Sequence, residues 1–314
     1  MLEAYLVLKG RKRAAVSEDT VATYHKGVRD YLAWAWPPDA SGPKVEILKA
    51  TSDDLDRYVT ELQVNGGHLS ETSGVSLKPS TIATYLAGVR TLYRAFEWAK
   101  AAQMPQGVFA PRDPTPPEER RPALPVHLYR KLLDRLTPEK PDLLRDRVAV
   151  RLMAEAGLRI SEVIQLVIAD LHFGERILIV KHGKGGKQRS VPLSNSLVAD
   201  LEAWLRIRTG LAAPGETRVL INMGGKKADG KGMSASMLRK TLAKHYSALG
   251  FPARYYGAHM LRHTAGTRFY KASRDLHATA RLLGHSNVNT SAIYAKMDLE
   301  GLFDVVDKLD SESE

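Results

Sequence analysis

Residues 171–193 read LHFGERILIVKHGKGGKQRSVPL, and this stretch is the one clear β region of the chain. Leu171–Phe173, Arg176–Lys181 and Gln188–Leu193 read as short strands, the last two joined by a glycine turn at His182–Lys187. Short runs joined by glycine-rich turns pair as antiparallel hairpins. Val219–Asn222 is a candidate for one more short strand. Around this region the sequence reads as helix. Helices are expected upstream at Val126–Leu136 and at Leu143–Ala156, the second closed by Gly157 as its C′ residue, and a short one starts near Ile160. Downstream, Ser194–Thr209, Ser234–Leu249, His259–Lys271, Leu276–Leu283 and Val288–Lys296 complete the set. The second half of the chain is therefore expected to be mixed α/β, mostly helical with a small antiparallel sheet.

Further upstream, Pro105 to Pro125 (PQGVFAPRDPTPPEERRPALP) breaks any helix and reads as an interdomain linker. Before it no segment alternates with period two, so a small helical bundle is expected. Ser17 or Thr20 can cap a helix running to about Trp36, Ser52 heads one at Asp53–Gln63, and Ser80 leads one ending near Ala102. The expected organisation is residues 1–104 as an N-terminal helical domain, 105–121 as linker, 122–297 as the larger domain and 298–314 as a C-terminal tail helix. That tail carries Leu299, Leu302, Phe303, Val306 and Leu309 at helical spacing, an apolar stripe flanked by acids.

The chain of 314 residues carries a net charge of +11 and contains no cysteine. Disulfides, thiolate chemistry and cysteine-ligated zinc are thereby excluded. No apolar stretch approaches the ~20 residues of a membrane span. The amino terminus MLEAYLVLKGRKR has its basic cluster after the apolar run, which is the wrong order for a secretory signal, so a cytoplasmic, nucleoid-associated location is expected. The charge is unevenly spread: residues 1–119 are nearly neutral at −1, residues 122–297 carry +16 and residues 298–314 carry −6. One segment thus holds the positive field, whose natural ligand is a polyphosphate.

Three places concentrate unusual residues. In Ala156-Gly-Leu-Arg159-Ile-Ser-Glu162, an arginine follows a helix-ending glycine amid apolar neighbours, and Glu162 at i+3 can orient it. Taken alone, a structural salt bridge is the better reading. In Gly257-Ala-His259-Met-Leu-Arg262-His263-Thr264, His259 and Arg262 share a helix face, and an imidazole beside a fixed cation suits a phosphodiester. A capped helix start is the plainer reading. The spacing of His259 and His263 also raises zinc, but no HExxH glutamate or third ligand follows, so no metal is expected. In Leu282-Leu-Gly-His285-Ser-Asn-Val-Asn-Thr-Ser-Ala-Ile-Tyr294, a tyrosine stands nine residues after a histidine. Gly225-Lys226-Lys227-Ala-Asp-Gly230-Lys231-Gly232 nearly spells a P-loop, but Gly232 stands where a hydroxyl is needed, and a basic loop touching DNA explains it better.

In the N-terminal part, Thr20-Val-Ala-Thr23-Tyr24-His-Lys-Gly-Val-Arg29 echoes Thr81-Ile-Ala-Thr84-Tyr85-Leu-Ala-Gly-Val-Arg90. The threonines, tyrosines and arginines of this repeat are candidates for DNA contact, and its apolar positions serve packing.

Together these boxes resemble the tyrosine recombinase (phage integrase) family, in its Xer-like two-domain form. The resemblance rests on Gly157-Leu158-Arg159 with Glu162, the turn Gly183-Lys184-Gly185-Gly186-Lys187, His259-Met-Leu-Arg262-His263, and Leu283-Gly284-His285 with Tyr294. It implies an N-terminal core-binding bundle of the SAM-like kind and a catalytic domain that together close on double-stranded DNA. It also implies that Tyr294 attacks the scissile phosphate to give a 3′-phosphotyrosyl link and a free 5′-hydroxyl. By the same resemblance Arg159 and Arg262 hold the non-bridging oxygens, Lys184 protonates the leaving oxygen, His259 relays a proton for Tyr294 and His285 donates to phosphate. Glu162 supports Arg159. Lys181 and Lys187 flank Lys184 and compete with it, or serve as backbone contacts, as do Lys226 and Lys227. No metal or other cofactor is implied. A tetramer, homomeric or with a related recombinase, would exchange strands through a Holliday junction, with the tail helix docking on a neighbour or on its own domain. Two rival readings remain open from the residues: a monomeric topoisomerase of type IB, and a sequence-specific DNA-binding protein that has lost the chemistry.

Overall fold

The computed structural model describes residues 2–6, 18–69, 72–116, 122–181, 188–223, 229–284, 290, 291 and 294. The chain divides into two compact units, Met1–Thr115 and Pro116–Glu314. Among the described residues no helix is long and apolar enough to cross a membrane.

The first unit is built on α1 (Glu18–Ala35), α2 (Ser52–Val64) and α3 (Pro79–Trp98). The cap of α2 is Thr51 rather than Ser52. The Thr51 hydroxyl accepts the Asp54 N–H at 3.3 Å, while the Asp54 carboxylate accepts the Thr51 N–H at 2.8 Å. Helix α3 stops at Trp98, short of the Ala102 expected. Lys100 turns left-handed (φ 56°), and the Ala101 N–H reaches the Phe96 carbonyl at 2.8 Å. Such a closure ordinarily uses glycine, so a lysine in that place leaves no signal in the sequence.

The repeat joins α1 to α3. A Cβ added to Gly27 would lie 2.7 Å from the Tyr85 carbonyl oxygen, and one added to Gly88 would lie 2.7 Å from that of Tyr24. Each glycine therefore receives the other helix at its tyrosine, a reciprocal contact that accounts for the duplicated pattern. Tyr85 is 3% exposed, in the same apolar core as Tyr31, Tyr58 and Tyr93. The expected outward role of Tyr85 is thus corrected: the periodicity that seemed to repeat a DNA contact repeats a helix crossing. Tyr93 donates to the Ile47 carbonyl at 2.9 Å and meets the Tyr31 hydroxyl at 2.7 Å. The fully buried Asp30 accepts from Tyr58 at 2.9 Å and from the His68 N–H at 2.8 Å. These buried groups are satisfied within the unit, whereas the buried Tyr85 hydroxyl has no hydrogen-bond partner among the described residues. The Pro-rich stretch begins by packing here as well, since Val108 is 1% exposed in this core and its carbonyl accepts from Arg90.

The second unit runs α4 (Val126–Arg135), α5 (Pro141–Ala154), α6 (Ile160–Gln165), β1 (Leu171–His172), β2 (Ile177–Val180), β3 (Arg189–Pro192), α7 (Asn195–Arg208), α8 (Ala235–Ala248), α9 (Ala258–Ser273) and α10 (Leu276–Leu283). Helix α5 is its spine, with Val148 to Ala154 all buried. Being enclosed on all sides, it shows no single apolar stripe. Its charges are paired inside: Arg145 holds Asp146 at 2.7 Å, and Arg151 holds Asp200 at 2.6 Å. The sheet is antiparallel in the order β1-β2-β3, with Leu178 opposite both Leu171 and Val191. Val219–Asn222 does not extend it. Among the described residues that segment makes one isolated bridge, Ile221 with Gly232, next to that of Arg218 with Val167, and it is used as packing: the Val219 carbonyl accepts the buried Trp204 indole N–H at 2.9 Å. The tail helix and most of the expected helix Val288–Lys296 lie outside the described residues.

Candidate active site

The site forms where the ends of α5 and α10 meet α9. Gly157, left-handed at φ 68°, follows α5, and a Cβ there would lie 2.7 Å from Leu283 Cδ2. Only a glycine gives both the turn and the close approach. Two residues on, Arg159 caps α6. Its N–H donates to Glu162 Oε2 at 2.8 Å and its Nη1 to Glu162 Oε1 at 2.8 Å. Its other arm reaches the Gly284 carbonyl at 3.4 Å.

Glu162 is the anchor of the cluster. Its side chain is 2% exposed and lies among three guanidinium groups. Arg189 on β3 holds both oxygens, at 2.9 and 2.8 Å, Arg159 holds one, and Arg262 Nη1 stands 3.8 Å away. Burial alone would push this carboxyl up. The Arg189 hydrogen bonds, the Arg159 N–H and the charges of both arginines outweigh it and hold the group below the usual carboxylate range.

Arg262, on α9, is 5% exposed. It donates from Nη1 to the Gly157 carbonyl at 2.5 Å and from Nη2 to the Leu283 carbonyl. These carbonyls lie at the ends of α5 and α10, where the backbone dipoles present negative charge. Burial, followed by the charge of Arg159, pushes the guanidinium down to about 10. It is still a cation at neutral pH.

Tyr294 is 2% exposed and sits against α9, one turn beyond Arg262. A Cβ on Gly266 would come within 2.3 Å of its Cζ, and the His263 ring lies 5.8 Å from its ring, centre to centre. Burial pushes the phenol up to about 12, against the opposing pull of Arg262 and Arg159. The positive field of both expected arginines therefore reaches the expected nucleophile within one chain. His259 is exposed in the first turn of α9, its ring 6.0 Å from that of His263.

Arg159, Glu162, Arg262 and Tyr294 are thus brought together. Lys181 is tied to the buried Asp170, its Nζ 2.5 Å from the carboxylate. Lys184, Lys187, Lys226, Lys227 and His285 lie outside the described residues. In the first unit Thr23 and Arg29 are exposed on α1 and Tyr24 is half-buried. The Thr84 hydroxyl donates to the Ser80 carbonyl at 2.8 Å, and Arg90 is held by Val108 and lies over the Phe109 ring at 5.8 Å. Sequence reasoning missed Arg189 and Gly266. For Arg189 a signal existed: it shares a strand face with Val191, which is fully buried, and a charge on a core-facing strand position needs a buried partner. For Gly266 there was none.

A family model described as the phage integrase family matches residues 123–300. Tyrosine recombinase XerC of Vibrio vulnificus (strain YJ016) is 31% identical over 258 residues, covering 78% of this chain and 76% of its own. Tyrosine recombinase XerC of Pelobacter propionicus is 29% identical over 303 residues, covering 93% and 89%. Among solved structures, the Tn1549 transposon integrase in complex with circular intermediate DNA superposes with a TM-score of 0.70 at 18% identity, covering 93% and 94%. XerH site-specific recombinase bound to palindromic difH substrate gives 0.66 at 21%, covering 92% and 78%. The chain belongs to the phage integrase family. Within it the protein is a Xer-like tyrosine recombinase, an enzyme of site-specific recombination that cleaves and rejoins DNA strands.

Proposed function

We propose that Tyr294 is the nucleophile of this recombinase and that Arg159 and Arg262 hold the phosphate it attacks. The observation that carries the reading is the buried Tyr294 phenol seated on Gly266, one turn along α9 from the Arg262 guanidinium, which shares the Glu162 cluster with Arg159. In the reaction the phenolic oxygen bonds to phosphorus and the bond to the 5′-oxygen breaks. The tyrosine proton leaves through His259, and the departing oxygen gains one from Lys184, giving a free 5′-hydroxyl and a 3′-phosphotyrosyl bond. Arg159 and Arg262 stabilise charge that grows on the non-bridging oxygens, each donor being worth ~2.7–4 kcal/mol. His285 donates to the same phosphate. Rejoining reverses the step with another strand's 5′-hydroxyl, and because the phosphotyrosyl bond conserves the energy of the broken one, no nucleotide cofactor enters the balance.

The residues 1–104 serve as a core-binding DNA domain and residues 122–297 as the catalytic domain, with 105–121 between them. Thr23, Tyr24 and Arg29 on α1 and the lysines Lys187, Lys226 and Lys227 are the DNA contacts, while Arg90 and Thr84 act through the helix that carries them. Exchange between two duplexes needs paired cuts, so the active form is a tetramer on two DNA sites, passing through a Holliday junction, with residues 298–314 docking on a neighbour. The protein works on the chromosome or a mobile element in the cytoplasm. The family membership and the gathered catalytic set disfavour both a monomeric topoisomerase and a retired binder.

A duplex nicked next to the cleavage point traps the covalent intermediate. The wild-type protein should become linked to such DNA and Tyr294→Phe should not. Covalent linkage that survives Tyr294→Phe would place the nucleophile elsewhere.

A further inference from the structure

We infer that Arg189 is a positioning residue of the reaction, one that occupies the Glu162 carboxylate so that Arg159 and Arg262 keep their charge for the phosphate. This rests on the reading of Arg159, Arg262 and Tyr294 given above. The cluster holds three guanidinium groups and one carboxylate. Arg189 grips that carboxylate with a two-pronged contact, at 2.9 and 2.8 Å, the geometry in which an arginine and a carboxylate bind most strongly. Arg159 has one side-chain contact with it, and Arg262 stands off at 3.8 Å. Arg189 is itself locked from behind. Its Nε donates to the Leu282 carbonyl at 3.1 Å, and its side chain lies across Gly284, where an added Cβ would meet Nη1 at 2.9 Å.

The consequence is electrostatic. With Arg189 in place the carboxylate is matched by a cation already fixed between it and the Leu282 carbonyl, and Arg159 and Arg262 present two net charges. Without Arg189 the same buried carboxylate has only Arg159 and Arg262 to pair with. A carboxylate accepts the same N–H groups that a phosphate does, so it would compete with the scissile phosphate at close range. Glu162 anchors Arg159 and threatens it at once, and Arg189 removes the threat.

The test is single-turnover covalent capture on the nicked duplex, with DNA affinity and thermal unfolding measured in parallel. Arg189→Met should slow capture by ~10²-fold, the scale of losing one preorganised donor, with DNA affinity changed by less than about threefold, since the phosphate backbone contacts that dominate it lie elsewhere. The double variant Glu162→Gln/Arg189→Met removes both members of the neutral pair, and should recover at least about tenfold of that loss if charge competition is its cause. Arg189→Lys, which keeps the charge without the fork, should fall between wild type and Arg189→Met. Capture by Arg189→Met at the wild-type rate would overturn the inference. So would a double variant no faster than Arg189→Met, because a purely structural role predicts that result. Should Arg189→Met fail to fold, Arg189→Lys decides: a loss as deep as ~10²-fold in a folded, DNA-binding protein refutes the charge role. Absence of capture by the wild type would instead bring down the Tyr294 reading, and this one with it.

Discussion

The Tyr294 ring rests on Gly266, at a distance that leaves no room for even a methyl group on the helix beneath it: a Cβ at Gly266 would stand 2.3 Å from Cζ and 2.6 Å from the hydroxyl oxygen. A glycine inside a helix costs about 1 kcal/mol against alanine, so its use at this place is bought by the seat it provides. In this seat the phenol is covered and keeps its proton, and on the proposed reading its oxygen leaves the seat to meet a phosphate.

Gly266→Ala should therefore unseat Tyr294 in the DNA-free protein. Nitration of Tyr294 by tetranitromethane, read by peptide mass mapping, should rise several-fold over wild type. A nitration rate equal to the wild-type rate would contradict the seat. The helix itself gains about 1 kcal/mol of propensity, so global unfolding should not reveal the change as clearly as the tyrosine does.

The same burial predicts an alkaline signature. Tyr294 keeps its proton in the folded chain up to about 12, with burial as the main cause, whereas an unfolded phenol releases it near ~10. Its folded value is raised, so its contribution to stability is complete below pH ~10 and is lost as the pH climbs toward the folded value. The size is about 2–3 kcal/mol. Wild type minus Tyr294→Phe difference titration at the phenolate absorbance band should show one group ionising near pH 12. A group titrating at ~10 would mean an open phenol.

Arg262 combines a structural task with the hold on phosphate proposed for it, and a lysine can do neither fully. It bridges the carbonyls of Gly157 and Leu283 with separate prongs, tying the turn after α5 to the end of α10. Arg262→Lys should lower single-turnover capture by ~10²–10³-fold and reduce stability by ~1.5–3 kcal/mol, the worth of a hydrogen bond to a charged group. Urea unfolding that leaves the midpoint unmoved would show that the two carbonyls are held by something else.

In the first unit the reciprocal glycines give a clean pair of outcomes. Gly88→Ala places a methyl group 2.7 Å from the Tyr24 carbonyl oxygen, whereas nothing lies within 4 Å of a Cβ on Gly42. The first should destabilise the protein by ~1–3 kcal/mol through overpacking. The second should change stability by less than about 0.5 kcal/mol, as at other open surface sites. Equal effects of the two in thermal unfolding would refute the close crossing of α1 and α3.

The helices and the small sheet were legible because their causes are local. Proline in the first turn, serine caps at Ser194 and Ser234, and a glycine-rich stretch of sequence between alternating residues are all signals confined to a few positions. The boundaries that were misread have non-local or unmarked causes. Lys100 closes α3 in a conformation that glycine normally signals, and Val219–Asn222 has strand composition but is spent on packing against Trp204. The repeat was read correctly as a repeat and wrongly as to Tyr85, because a tyrosine in a helix looks the same in sequence whether its ring faces solvent or another helix.

What the chain's order of residues settled alone was the chemistry on offer: a tyrosine, two arginines and histidines in boxes whose spacing matches a known family, in a segment of strong positive charge. Those are matters of residue type and interval, which need no coordinates. Only the tertiary structure decided which charges pair. Glu162 lies three residues from Arg159 along the chain, yet its strongest grip comes from Arg189, twenty-seven residues away on a strand. Electrostatic energy depends on distance through space and on exclusion of water, and both are set by packing.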